Sequence, residues 1–360
     1  MNKYQIVEQT KKFQHAGSKA REDVAYFAEQ SGYEPVVIKC HILKGMSVFE
    51  RAFKYFKPLP YWIGAFFRIR RHSVVLLQNP FYNRQAGREQ CLKLLKKIKK
   101  CSIISVIHDA EFLRGSLWSD KNTQNEFDFM ESNSDLLIVH NELMKKAFSE
   151  KGIDENRLIP LEIFDYRTDG EIPEKKPGEN TADIIVAGNL RRDKCPYIYL
   201  LSHLENGFSV NLYGPNYGGN AENTQIKYNG SFPSEKIPEI IDGKFGLIWD
   251  GDSADGCNGE TGNYLRYNNP HKTSLYLVAG IPVVIWKEAA MARFVEKENV
   301  GICVNSLNDI KDKIDAVTDE EYKKMLENVN RIAGKLEKGH YLKTALKKCE
   351  DKFCTEQRGN

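Results

Sequence analysis

The chain contains no Cys-x-x-Cys pair. Its eight cysteines stand singly, at Cys40, Cys91, Cys101, Cys195, Cys257, Cys303, Cys349 and Cys354. That spacing suggests neither a zinc site nor a disulfide framework, and reduced thiols in a cytoplasm are the expectation. The chain also lacks an excess of charge. A net +3 gives no reason to expect a nucleic-acid partner. No apolar run approaches the roughly 20 residues of a membrane span. The opening MNKYQIVEQTKK does not read as a secretory signal. There is no internal repeat and no long low-complexity tract. What is present is the composition of a soluble globular protein, 41% hydrophobic and 28% charged. Its 360 residues exceed one ordinary core and fit two domains.

Short apolar runs alternate with helical patterns along the whole chain. Residues 4–7, 35–39, 73–77, 102–107 and 135–139 read as strands. Between them lie helices ending near residue 30, over 89–100, and from residue 141. Residues 167–182, RTDGEIPEKKPGENTA, carry two prolines, two glycines and many charges, and read as a linker. The alternation then restarts, with strands at 183–187, 208–212, 245–249, 283–286 and 301–304 and helices over 311–336 and 341–353. Strand–helix alternation predicts doubly wound parallel sheets. The expected division is 1–166, the linker 167–182, 183–340, and a terminal helix and tail over 341–360, with the two halves facing each other across a cleft.

The stretch 245–287 organises the rest. A buried-strand run leads into a polar loop holding Gly251, Gly256, Gly259 and Gly262. A helix is predicted to start at Pro270, with Leu275, Leu277 and Val278 inward, and to stop at Gly280 before the next strand. Ligands of such sheets bind beyond the carboxyl ends of the strands. A helix amino terminus bearing His271, Lys272 and Thr273 suits a diphosphate, because free amides, the helix dipole and an ammonium all face the anion. Two other strand-end loops add weight: Gly188-Asn189 with Arg191 and Arg192, and Tyr213-Gly214. By itself the basic turn reads first as a solvated loop. Asp250 and Asp252 form a D-x-D pair able to ligate a divalent cation, but lysine and arginine are at hand to neutralise phosphate without metal. The two aspartates then hydrogen-bond donor hydroxyls or order the loop.

In the first half, His108-Asp109 ends a strand, with Glu111 and Arg114 close behind. Transfer of a group to a hydroxyl needs a base for the acceptor proton. Asp109 is the candidate and His108 the second, since imidazole titrates near neutrality; both can equally brace the loop. Glu162, Asp165 and Tyr166 precede the linker and either line the cleft or act as hinge. Residues 42–70 alternate aromatics with lysine and arginine, and LKLLKKIKK follows at 92–100. This fits a peripheral face for anionic lipid, or helices whose aromatics pack on the sheet.

The stretches AGSKAR (16–21), IHDAEFLRG (107–115), IFDY (163–166), AGNLRRDKC (187–195), LYGPNY (212–217) and GLIWDGDSADGC…YLRYNNPHKTSLYL (246–277) resemble the bacterial β-1,6-galactofuranosyltransferases of O-antigen and related polysaccharide synthesis. A more distant likeness is to accessory glucosyltransferases that extend sugars on serine-rich adhesins, through the basic turn after Gly188-Asn189, Lys272, and Ala279–Val283. The resemblance implies a GT-B fold, two facing Rossmann-like domains, and a metal-independent inverting transfer with no cofactor. It places a nucleotide donor on the second half, with Arg192 or Arg191 and Lys272 on the diphosphate. Asp250, Asp252, Tyr264, Arg266 and Asn269 then contact the sugar or uridine, and Gly17, Ser18, Arg114 and Asp165 fall on the acceptor side. The expected partners are UDP-galactofuranose or another UDP-hexose and a lipid-linked glycan, at the cytoplasmic face of a membrane. The alternatives are a UDP-glucose enzyme, a catalytically silent nucleotide-sugar binder, and a metal-dependent hydrolase using Asp250 and Asp252. A homodimer stays open.

Overall fold

The computed structural model describes all residues except 10–15, 41–46, 116–120, 171, 173–181, 202–203, 205–206, 220–224 and 360. Two six-stranded sheets carry the architecture. The first contains β1 (Lys3–Gln9), β2 (Glu34–Lys39), β3 (Val74–Asn79), β4 (Ser102–Ile107), β5 (Leu136–Val139) and β6 (Leu158–Pro160), in the order β2-β1-β3-β4-β5-β6. The second contains β7 (Ile184–Ala187), β8 (Val210–Tyr213), β9 (Ile226–Tyr228), β10 (Phe245–Ile248), β11 (Val283–Trp286) and β12 (Gly301–Val304), in the order β12-β11-β10-β7-β8-β9. Every neighbouring pair is parallel. Parallel sheets are covered on both faces, so their strands must be apolar throughout. All six residues of β3 and all four of β5, β7, β10 and β11 are buried.

Each sheet has one place where strand order reverses, between β1 and β3 in the first and between β7 and β10 in the second. Crevices at such points are where ligands sit in open α/β sheets. Packing at the second is tight. A Cβ on Gly246 of β10 would lie 2.2 Å from the ring of Tyr276, and the Tyr276 hydroxyl accepts the Ala187 N–H at 2.8 Å. This ties the helix His271–Val278 to both central strands.

Several elements differ from the sequence expectation. β6 and β9 are three residues long, too short to register as apolar runs. The helix Lys121–Asn133 buries only Phe127 and Met130, so its periodicity is faint. The loop after β10 contains a short helix, Gly259–Tyr264. Residues 311–336 are two helices, Ile310–Asp315 and Asp319–Leu336, because Thr318 starts a new one: its hydroxyl accepts the Glu321 N–H while Glu321 returns a bond to the Thr318 N–H. Within 42–70 the described residues form two helices, Val48–Phe56 and Leu59–Arg68, with Pro58 between them. The two readings of this segment divide by face. Trp62 and Ala65 pack inward, while Val48, Phe49, Phe53, Phe56, Ile63 and Phe67 stand exposed.

The last helix, His340–Gly359, returns to the first unit. Glu350 accepts from Lys3 Nζ at 2.8 Å and from the Tyr33 hydroxyl at 3.0 Å. No described helix is long and apolar enough to cross a membrane.

Candidate functional site

Residues beyond β4, β5, β7 and β8 meet the amino terminus of the helix His271–Val278 around a cavity of about 540 Å³. His108, Asp109 and His140 come from the first unit; Gly188, Asn189, Tyr213, Gly214, His271 and Lys272 come from the second. The two strand-end glycines set its floor. Both have φ of +141°, and a Cβ on Gly214 would lie 1.7 Å from the Gly188 carbonyl oxygen. Only glycine allows that approach in that conformation. A Cβ on Gly188 would in turn lie 3.4 Å from Cε of Lys272, so the same glycine clears space beside the lysine.

Lys272 makes no hydrogen bond or ion pair with a described residue; its Nζ lies 5.9 Å from the Tyr197 ring centroid. Burial works against its charge, but the Tyr197 hydroxyl, the Cys195 thiol and the Asp250 carboxylate around it hold its pKa well above the ordinary lysine value. It is therefore a fixed cation. The helix behind it starts from Pro270, which supplies no side-chain cap, so unpaired helix amides add to the positive end. Thr273 Oγ1 and His271 Nε2 are also buried without a partner among the described residues. A cation, a helix amino terminus and glycine-edged backbone together can hold a diphosphate.

On the opposite wall, Asp109 is half-buried. One carboxylate oxygen is paired with Arg114, whose guanidinium lies over the Tyr264 ring at 4.4 Å; the other has no hydrogen-bond partner among the described residues. Burial raises its pKa above the usual carboxylate range, against the pull of Arg114 and Arg21. His108 stacks on Phe164, with ring centroids 5.5 Å apart. Its Nε2 lies 2.7 Å from Gln78 Oε1, and Gln78 is oriented by its own amide donating to the Arg21 carbonyl at 3.2 Å. The His108 proton therefore sits on Nε2. Burial and the nearby Arg21, His140 and His271 push its pKa well below the usual value, so the ring is neutral.

His140 closes the cavity between the units. Its Nδ1 accepts the Asn269 N–H at 2.9 Å and its Nε2 donates to the Ile107 carbonyl at 3.1 Å. The Asn269 side-chain amide donates to the His140 carbonyl at 2.6 Å and the Glu162 carbonyl at 3.0 Å, and its oxygen accepts from Asn141 at 2.7 Å. Asn269 lines the cavity, but every polar atom of its side chain is committed to a clasp between the units.

The remaining expected residues fall in three places. Asn189 and Tyr213 line the cavity, with the Asn189 oxygen accepting from Asn216 at 3.0 Å. Outside it, Arg191 pairs with Asp193, Arg192 lies over the Tyr199 ring at 5.0 Å, and Arg266 pairs with Glu288 over Trp286. Asp250 accepts the Gly251 N–H at 3.0 Å and Asp252 is exposed. Tyr264 is buried in the first unit's core, its hydroxyl accepting the Ala110 N–H at 2.8 Å. Asp165 accepts the N–H groups of Tyr341 and Leu342 at 3.2 and 2.6 Å, anchoring the last helix. Ser18 lines a separate cavity with Arg21, and Gly17 lies in the helix Ala16–Gln30. Sequence reasoning missed Lys19, His140, Phe164, Ser231 and Phe232, all on the main cavity. His140 had a signal, since it follows β5 as His108 follows β4. Phe232 follows β9, a strand too short to be seen.

Residues 3–163 match the family model described as glucosyltransferase 3-like, N-terminal domain, and residues 184–349 match its C-terminal counterpart. The chain is 36% identical over 73% of its length to the β-1,6-galactofuranosyltransferase WbbI of Escherichia coli K12, covering 76% of that protein. It is 27% identical over 76% of its length to glucosyltransferase 3 of Streptococcus gordonii, covering 78% of it. In fold it is similar to Anabaena Alr3699/HepE, solved with UDP-glucose, at a TM-score of 0.58, 11% identity, 97% coverage of this chain and 99% of that one. The two facing parallel sheets are the GT-B architecture.

Proposed function

The chain belongs to the glucosyltransferase 3-like family of glycosyltransferases, and from that premise we propose that it transfers galactofuranose from UDP-galactofuranose to a hydroxyl of a lipid-linked oligosaccharide in the synthesis of a bacterial surface polysaccharide. The observation that carries this reading is a carboxylate and a lysine without an ion-pair partner among the described residues on the walls of one cavity between the two units, Asp109 from the first and Lys272 from the second.

The reaction is a single in-line displacement without metal. The acceptor oxygen bonds to the anomeric carbon as the bond from that carbon to the UDP oxygen breaks. The proton of the attacking hydroxyl passes to Asp109, and UDP leaves with the electron pair. Its growing charge is met by Lys272 and the helix amides behind it. Asp109 is the better base of the two candidates, because burial strengthens it while burial weakens neutral His108. Arg191, Arg192, Asp250, Asp252 and Arg266 do not line this cavity.

The galactofuranose donor rests on the likeness to WbbI. A second reading, UDP-glucose as donor, is favoured by the description of the family model. A lipid-linked acceptor is supported by the exposed aromatic face of the helices Val48–Phe56 and Leu59–Arg68, which together with their lysines and arginines suits an anionic membrane surface.

The test is product mass after incubation with UDP-galactofuranose or UDP-glucose, separately, with EDTA and a lipid-tailed glycoside. One added hexose from the first donor alone supports the reading, transfer from UDP-glucose alone moves the enzyme to the second, and activity only with added divalent metal refutes the metal-free mechanism. Asp109→Ala should lower turnover by about 10²–10⁴-fold with UDP binding retained.

A further inference from the structure

Tyr264 ends the helix Gly259–Tyr264 in the second unit, yet its side chain is buried inside the first. It is 2% exposed, in a core it shares with Ile107, Ala110, Phe127 and Phe148. The segment that delivers it is fixed on both sides. A Cβ on Gly262 would lie 2.5 Å from the Cys257 carbonyl carbon and 3.1 Å from the Asp250 carbonyl oxygen, so the helix lies flat on the loop after β10. Beyond it, the Leu265 carbonyl accepts the Ala290 N–H at 2.8 Å, and Asn141 of the first unit donates to the Tyr267 carbonyl at 2.9 Å. One stretch of chain therefore runs from Asp250, whose carboxylate acts on Lys272, to a ring within the first unit.

What that ring meets is the loop of Asp109. Ala110 follows Asp109 and is fully buried, so its N–H needs an acceptor within the protein. The Tyr264 hydroxyl is that acceptor, at 2.8 Å. On the other side of Asp109, the His108 N–H donates to the Asn79 carbonyl at 2.7 Å. The backbone carrying the carboxylate is thus held from β3 at one end and from the second unit at the other. The ring has a second use. The Arg114 guanidinium, paired with Asp109, lies 4.4 Å from its centroid, and a flat π-face restrains a planar cation. Phenylalanine would fill the same space and keep that shelf, but would leave the Ala110 N–H without this acceptor. Tyr264 does not line the cavity. Burial, with Asp109 beside it, raises its pKa above the ordinary tyrosine value, so the hydroxyl stays neutral and is not itself the base.

We propose that Tyr264 is a positioning residue for the transfer, a side chain of the second unit that holds the base of the first by its peptide and by its ion-pair partner. The proposal rests on the transferase reading above and deepens it. It replaces the donor contact expected of Tyr264 from the sequence with a task at the carboxylate that activates the acceptor. It also means that neither unit carries a complete site, since the setting of Asp109 depends on a hydroxyl 154 positions beyond Ala110 in the chain.

The experiment compares Tyr264→Phe and Tyr264→Met in the full chain by two readouts. The first is transfer kinetics, with the donor that the wild type uses and the lipid-tailed glycoside. The second, independent of turnover, is a carbon-13 NMR titration of the Asp109 carboxyl in protein labelled at aspartate, assigned with Asp109→Asn. Tyr264→Phe should lower kcat roughly 10- to 100-fold, with donor KM and calorimetric UDP affinity unchanged. Its carboxyl should titrate as in the wild type, because Arg114 keeps its shelf. Tyr264→Met fills the space without a ring and frees Arg114, so the pull that opposes burial at Asp109 weakens. The Asp109 titration and the acid limb of kcat/KM should then both move to higher pH. Arg21 and Glu111, which also act on this pair, are left in place. Wild-type kcat in Tyr264→Phe overturns the proposal, as does a loss shared equally by kcat and UDP affinity, or an Asp109 titration unmoved in Tyr264→Met. A wild type that transfers from neither donor would count against the transferase reading, and the titration in Tyr264→Met would still decide whether Tyr264 holds the carboxylate.

Discussion

In the proposed mechanism the ion pair of Asp109 and Arg114 sets the protonation of the base. Burial drives the Asp109 pKa up and Arg114 pulls it down, with the first effect larger. A general base works only when deprotonated, so kcat/KM should rise with pH through an apparent value above the ordinary carboxylate range. Replacing Arg114 with Gln removes the opposing cation and leaves the burial. The acid limb of the kcat/KM profile should then move to higher pH, with a lower plateau because the carboxylate has lost its orienting partner. His108 predicts a different result: it is neutral across this range, and it has no contact with Arg114. An acid limb that stays in place in Arg114→Gln would remove Asp109 from the role of base.

At the scale of elements, the exposed helix Val48–Phe56 is the least explained by folding. It is built to be a helix, since the Ser47 hydroxyl accepts the Glu50 N–H and Glu50 returns a bond to the Ser47 N–H at 3.0 Å, yet none of its residues is buried. Phe49 is 89% exposed, and Phe67 on the next helix is 76% exposed. A phenylalanine buried from water contributes roughly 1.5–3 kcal/mol, so leaving these in solvent needs a compensating surface elsewhere. Phe49→Asp and Phe53→Asp should leave thermal unfolding unchanged and abolish co-sedimentation with phosphatidylglycerol vesicles, while wild type pellets with them and not with phosphatidylcholine. A wild type that ignores both vesicles would sink the membrane reading. The same elements show what a sequence can disclose. Ten of the twelve described strands were legible because parallel sheets demand continuous apolar runs, while β6 and β9, three residues each, were not; Lys272 at a helix start was legible because spacing alone puts it there. Asn269 and Asp165 read as ligand contacts because each is a polar residue near a strand end or linker. Their actual hydrogen-bond partners lie far away in the chain, at Asn141, His140 and Glu162 for Asn269 and at Tyr341 and Leu342 for Asp165. Whether a polar side chain faces a substrate or the other half of its own molecule is decided by tertiary packing, which no local pattern records. The exposed face of Val48–Phe56 shows the same limit, since its composition fitted inward and outward packing alike.

Buried ionisable groups set how the stability of the whole molecule responds to pH. Burial first of all raises the pKa of Asp165 to about 7, of Glu8 to about 7 and of Asp23 to about 6. A carboxyl raised in the fold keeps a proton that the unfolded chain has lost, so each of these contributes stability at low pH that declines from its unfolded value near 4 up to its folded value. The histidines act the other way. Burial lowers His140 to about 4 and His271 to about 3, and pushes His108 well down. Below about 6.5 the unfolded chain takes up protons that these rings refuse, so their contribution grows as pH rises to that point. Between about pH 4.5 and 6 the rising contributions of the histidines oppose the falling ones of these carboxyls and of Asp109, which burial also raises. Of the first six groups only Asp165 and Glu8 still titrate above about 6.5, and their contribution declines to about pH 7. Asp165→Asn removes one falling contribution, at about 1.4 kcal/mol per pH unit, while its amide oxygen can still accept an N–H from the start of the last helix. Urea unfolding at pH 5 and pH 7 should therefore show the variant gaining on the wild type by roughly 2–3 kcal/mol between the two values. A gap that does not change with pH would mean that Asp165 is ionised in the folded protein at both, and that the two amides at Tyr341 and Leu342 outweigh its burial.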